Sequence, residues 1–190
     1  EIAFFAIGWA GFWICLKHNF SNVFLIGLLL RLSLIISIPL LSDDYLRFLW
    51  DGYLTSEGIN PFNFKPSELY LLAKGDEFAN SLFTNIKDKN SYSAYPPVNQ
   101  WIFYFSALTK SIMGGVLCLK IILIIFDIAT YFVLKKLFKR YKINEKKLIL
   151  YWLNPLVILE LIGNLHTEGI LLFFLLTALL SFSKLQDFKG

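Results

Sequence analysis

Cysteine is scarce in this sequence: the 190 residues include only Cys15 and Cys118, and both lie in apolar runs. Thiols placed this way read as buried structural groups, which sets aside a disulfide framework and a thiolate metal site. An HExxH motif is missing, and His166-x-Glu168 stands without a third ligand, so neither a metal nor another cofactor is expected. No inverted repeat is visible, and the Gly and Pro interruptions do not recur in matched halves. The chain starts at Glu1 with no Met, charged leader or cleavage site, and ends at Gly190 just after a hydrophobic segment. No signal peptide is expected, and the sequence reads as a piece of a longer chain.

What the sequence has in abundance is apolar. It is 56% hydrophobic and 17% aromatic with mean hydropathy +0.58, above the roughly 45–50% apolar content of soluble domains. An all-α polytopic membrane protein is the expected class. A spanning helix needs roughly 17–25 mostly apolar residues, and five segments come close: 2–16, 22–41, 116–137, 148–163 and 168–183. A sixth, 98–115, is shorter, carries Asn99, Gln100, Ser106, Thr109 and Lys110, and follows Pro96-Pro97.

The net charge of +4 would suit nucleic acid if it were spread over a soluble surface, but the basic residues cluster between hydrophobic segments. No nucleic-acid partner is expected, and the clusters report orientation instead. Lys135, Lys136, Lys139, Arg140, Lys142, Lys146 and Lys147 face only Glu145 within 135–147, whereas 42–97 holds five basic residues against eight acidic ones. These two loops belong on opposite sides of a membrane, with 135–147 and 16–22 cytoplasmic and 42–115 and 163–169 outside. That arrangement makes 98–115 an interfacial helix, with Trp101 and Tyr104 at headgroup level. The domain reading is one transmembrane core over 1–190, with an extracytoplasmic loop at 42–115 and transmembrane helices over 116–183. Arg31 and Asp127, charges within spans, should pair with polar groups, and Asn154-Pro155 should bend its helix.

The long loop should carry helices of its own. Ser42 or Asp43 can cap a helix running to about Ser56, with Gly58 as terminator. Asp44, Arg47, Asp51 and Thr55 would form its polar face toward water or a cleft, opposite Leu46, Leu49 and Tyr53. Residues 65–75 read as a second helix, entered at Pro66 and left at Gly75. On residue type alone, Asp43 as a cap and Arg47–Asp51 as a surface i, i+4 pair stand beside another reading, a general base drawn from the adjacent carboxylates.

"LSDDYLRFLWDGYLTSEGINPF", "YPPVNQ" and "YWLNPLVILELIGNLHTEG", in that order over about residues 22–183, resemble the membrane-embedded glycosyltransferases of the C superfamily, especially bacterial mannosyltransferases. The resemblance implies inverting transfer of a hexose, here mannose, from a polyprenyl-phosphate donor to a hydroxyl of a glycan or lipid-linked acceptor. The setting it implies is a bacterial inner (plasma) membrane, with the active site facing outside among membrane lipids. It places the general base at Asp43, with Asp44 as partner or substitute. A phosphate leaves as a stable anion and needs no acid, so one carboxylate suffices, unlike the two of a typical glycosidase. Candidate substrate-binding residues are Arg47, Asp51, Lys120, Glu160, His166 and Glu168, with Lys120, Arg47 and His166 directed at the phosphate. A lipid or solute transporter or flippase is the alternative class, and a structural membrane subunit the third.

Overall fold

The computed structural model describes the backbone of residues 2–17 and 22–187 and the side chains of 8–17 and 22–183. Residues 18–21, within the cytoplasmic segment expected at 16–22, lie outside the described residues. Among those described, every regular element is helical. In chain order they are α1 (Ile2–Lys17), α2 (Val23–Ser33), α3 (Asp44–Ser56), a 3-10 turn (Pro66–Leu69), α4 (Tyr70–Gly75), α5 (Glu77–Asn85) and α6 (Pro97–Ala107). There follow α7 (Ile112–Arg140), a second 3-10 turn (Glu145–Leu148), α8 (Ile149–Trp152), α9 (Pro155–Ile158) continuing into a π turn (Leu159–Gly163), and α10 (Glu168–Asp187). The chain folds as two compact units: Ser37–Ile122, and the residues up to Ile36 with those from Leu123 onward.

The helices depart from the expected spans where the backbone chemistry requires it. Among the described residues only α7, at 29 residues and about 43 Å, is long and apolar enough on its own to cross a membrane. The apolar run 22–41 supplies just the 11 residues of α2, and its helix stops at Ser33, whose hydroxyl donates to the Leu30 carbonyl. Ile35, Ile36 and Ile38 are β-branched, and Pro39 disfavours helix at the residue before it. Segment 148–163 is broken as Asn154-Pro155 implied: α8 ends at Trp152, and the Asn154 side chain accepts the Leu156 amide at 3.0 Å. Pro155–Gly163 and Glu168–Ser183 then meet at 117°, through Leu165 at φ 62°. The segment 98–115 divides, residues 112–115 opening α7 and α6 keeping 11 residues, about 16 Å.

In the Ser37–Ile122 unit, α3 ends in the Schellman pattern that Gly58 signalled. Gly58, at φ 74°, and Ile59 donate to the carbonyls of Thr55 and Leu54. Leu46, Leu49 and Tyr53 are buried within the protein. Two glycines set the packing of this helix. At Gly52 a Cβ would lie 2.1 Å from the Phe103 carbonyl oxygen, so α3 and α6 meet backbone to backbone. At Gly115, in α7, it would lie 2.4 Å from Leu49. Phe48 stacks on Phe103 at 4.5 Å between centroids, and Tyr95 meets both rings edge-on. The tyrosine of Tyr95-Pro96-Pro97 is thus an anchor, and the second proline starts α6.

The other unit is organised by Arg31 and Asp127, which pair at 2.5 Å and are both buried. The Arg31 guanidinium also donates to the Gly27 and Trp152 carbonyls and lies 3.7 Å from the centre of the Trp152 ring. The Tyr151 hydroxyl donates to the second Asp127 oxygen at 2.6 Å. The sequence led to an expectation of polar partners for both charges, and here each is the other's partner.

Candidate active site

Asp43 occupies the N-cap position of α3, yet its side chain makes no capping bond. The Asp44 amide turns instead to the Ser42 hydroxyl at 3.3 Å. The Asp43 carboxylate is 40% exposed and lies 3.0 Å from Lys87 Nζ. It opens on a cleft of about 280 Å³ lined by Asp44, Arg47 and the segment from Ile86 to Tyr95, including Lys87, Asp88, Ser91 and Tyr92. Nearby, burial first and the Asp43 charge second push the Tyr45 phenol above its ordinary value, so it stays a neutral hydroxyl at physiological pH.

Asp51 faces neither water nor the cleft, the two settings expected for the polar face of α3. Its carboxylate is fully buried, because a second layer of polar groups closes over that face of α3. Arg47 Nε donates to one oxygen at 2.8 Å, while the Ser93 hydroxyl at 2.5 Å and the Gln100 amide at 3.3 Å donate to the other. Arg47 Nη1 also donates to the Ser91 carbonyl at 2.9 Å. The pair is therefore an internal anchor that fastens the 86–95 wall of the cleft to α3. Asp88 stabilises the same wall. Its carboxyl is held below the usual aspartate range, chiefly by the Ser91 hydroxyl and then by the Asn90 amide.

Lys120 is buried, and its ammonium donates to the carbonyl and hydroxyl of Ser37 at 2.6 and 2.7 Å. It does not line the Asp43 cleft. Glu160, His166 and Glu168 do come together, in the other unit. His166 Nε2 is 3.6 Å from Glu160 and Nδ1 is 3.7 Å from Glu168, and Asn164 donates to Glu160 at 3.2 Å. The cluster sits on the bend between α9 and α10, where Glu160 closes on the histidine through its π turn.

Lys87, Ser93, Gln100 and Asn164 did not stand out in the sequence as site residues. Gln100 closes the "YPPVNQ" motif and Asn164 opens "NLHTEG", so their positions carried a signal. An exposed loop lysine such as Lys87 carries none.

An all-helical build, one long apolar helix and a carboxylate-lined cleft outside that helix agree with the C-superfamily glycosyltransferase class that the motifs resemble. Residues 4–188 match the family described as alpha-(1->6)-mannopyranosyltransferase, N-terminal domain, and the chain belongs to that family. It is 34% identical over 149 residues to alpha-(1->6)-mannopyranosyltransferase B of Corynebacterium glutamicum, and 27% identical over 151 residues to an alpha-(1->6)-mannopyranosyltransferase of Mycobacterium tuberculosis. Each alignment covers 77% of this chain and 24% of the relative, so the chain spans about a quarter of the length of the curated relatives it matches. No solved structure matches it.

Proposed function

We propose that this chain is the N-terminal part of an inverting mannosyltransferase that takes mannose from a polyprenyl-phosphate donor to a hydroxyl of a glycan or lipid-linked acceptor. The single observation that carries this reading is the Asp43 carboxylate, released from capping and half-open on a cleft of about 280 Å³. As general base it accepts the acceptor proton while the acceptor oxygen attacks the anomeric carbon. The bond from that carbon to the phosphate oxygen breaks, and its electron pair leaves with the lipid phosphate. The relatives are named for α-(1->6) linkages, and an α product of an inverting reaction requires a β-configured donor. A 6-hydroxyl is primary and unhindered, which makes it an accessible nucleophile. Asp44 is the partner carboxylate, and Glu160, His166 and Glu168 stay candidate substrate-binding residues in their own unit.

The reading includes about five spans in a bacterial inner membrane, with 135–147 cytoplasmic and the Asp43 cleft outside. Support comes from the charge contrast between the two loops, and from α7 ending in Lys139 and Arg140, where basic residues also suit the helix dipole. The broken element at Pro155–Asp187 is of a kind that transporters use as well. One experiment separates the two readings: reconstitute the full-length protein with isotope-labelled polyprenyl-phosphate mannose and acceptor, and identify products by mass spectrometry on each side of the vesicle. Mannosylated acceptor with free lipid phosphate is expected, whereas translocated, intact donor would refute the transferase.

A further inference from the structure

We propose that Lys87 is a mobile latch on the general base, pairing with Asp43 until the donor arrives and then moving to the donor phosphate, which frees Asp43 to take the acceptor proton. This rests on the transferase reading above and adds to it the group that receives the phosphate. The argument begins with charge. The cleft carries three carboxylates, Asp43, Asp44 and Asp88, and an anionic donor has to enter it. Its lining supplies two cations, Arg47 and Lys87.

Arg47 is committed elsewhere. Its Nε is held by buried Asp51 and its Nη1 by the Ser91 carbonyl, while Nη2 is buried without a hydrogen-bond partner. Swinging that guanidinium to a phosphate would strip Asp51 of its counter-charge in a dry setting. Lys87 has the opposite character. Its side chain is 84% exposed, and its ion pair with Asp43 at 3.0 Å is the exposed kind that contributes little to stability. A weak pair on a flexible four-carbon stem exchanges partners at little cost, as a latch requires.

The exchange also follows the charge that develops during reaction. The diester donor carries one negative charge, and the lipid monophosphate it releases carries up to two. A lysine that moves to the phosphate therefore binds more strongly as the leaving group departs. The acceptor proton goes to Asp43.

The test uses full-length protein and two readouts: steady-state kinetics with polyprenyl-phosphate mannose, and direct binding of farnesyl phosphate by calorimetry in detergent. Lys87→Ala should raise the donor KM and the farnesyl phosphate Kd about tenfold or more, the scale of a lost hydrogen bond to a charged group. It should leave the acceptor KM unchanged, and Lys87→Arg should restore most of the loss. Asp43→Asn should tighten farnesyl phosphate binding by unlatching the lysine, and that gain should vanish in Asp43→Asn/Lys87→Ala. An unchanged Kd in Lys87→Ala, a gain that survives in the double variant, or no binding by the wild type would each overturn the latch. Wild-type binding without turnover would count against the transferase reading alone, since the binding arm still decides the lysine.

Discussion

Replacing Asp51 by Ala is the sharpest perturbation of the cleft that leaves its lining untouched. The change removes a fully buried carboxylate and leaves Arg47, whose side chain is 12% exposed, without its counter-charge. Ser93 and Gln100 lose an acceptor at the same time. Breaking a buried pair from one side costs about 3–5 kcal/mol. Arg47 keeps the Ser91 carbonyl and some access to water, so the lower end, about 3 kcal/mol, is expected. Reversible unfolding of the full-length protein in detergent measures it, and hydrogen exchange over 86–95 reports whether the wall has detached. Arg47→Met/Asp51→Leu should recover most of the stability, because apolar replacement of a whole buried pair is often neutral or better. A loss below about 1 kcal/mol in Asp51→Ala, with exchange over 86–95 unchanged, would refute the anchor.

Three further outcomes follow from the packing and the charges. Gly52→Ala should destabilise the α3–α6 contact by at least the roughly 1–3 kcal/mol of an overpacked core, since the clash is with the Phe103 backbone; a thermal midpoint equal to wild type would contradict the close approach. Asp127→Ala strands buried Arg31 and should cost about 3–5 kcal/mol, read as lost folded yield in detergent, whereas wild-type yield and stability would contradict the network. Single cysteines at Lys139 and Asn90, with Cys15 and Cys118 replaced, should react with an impermeant maleimide from opposite sides of the membrane; labelling from one side would overturn the topology.

The loop helices were legible in local backbone signals. Asp43 and Gly58 bracket α3, and Pro66 and Gly75 bracket the turn and helix at 66–75, because caps and terminators act through the chain within a few residues. The helix α5 was not foreseen. Asn80, Ser81 and Asn85 are weak helix formers, and its one clear mark is Asp76, which accepts the Ala79 amide. Hydropathy overstated the helix in 22–41, since transfer energy reports where a segment lies and not whether its backbone stays helical past Ser33. At the site, periodicity put Asp51 on the right face of α3 but could not show that Ser93 and Gln100 close over it from 42 and 49 residues away. Long-range partners of this kind leave no trace in local spacing. Lys87 was hidden for the same reason.

The most direct test of the central claim is turnover by the full-length protein with polyprenyl-phosphate mannose and acceptor, comparing wild type, Asp43→Asn, Asp44→Asn and the double variant by release of lipid phosphate. Asp43→Asn should slow transfer by at least about 10²-fold, the lower end of what a general base contributes, while the protein still inserts and binds donor. Loss confined to Asp44→Asn would move the base by one residue. Near wild-type turnover in the double variant would contradict the account.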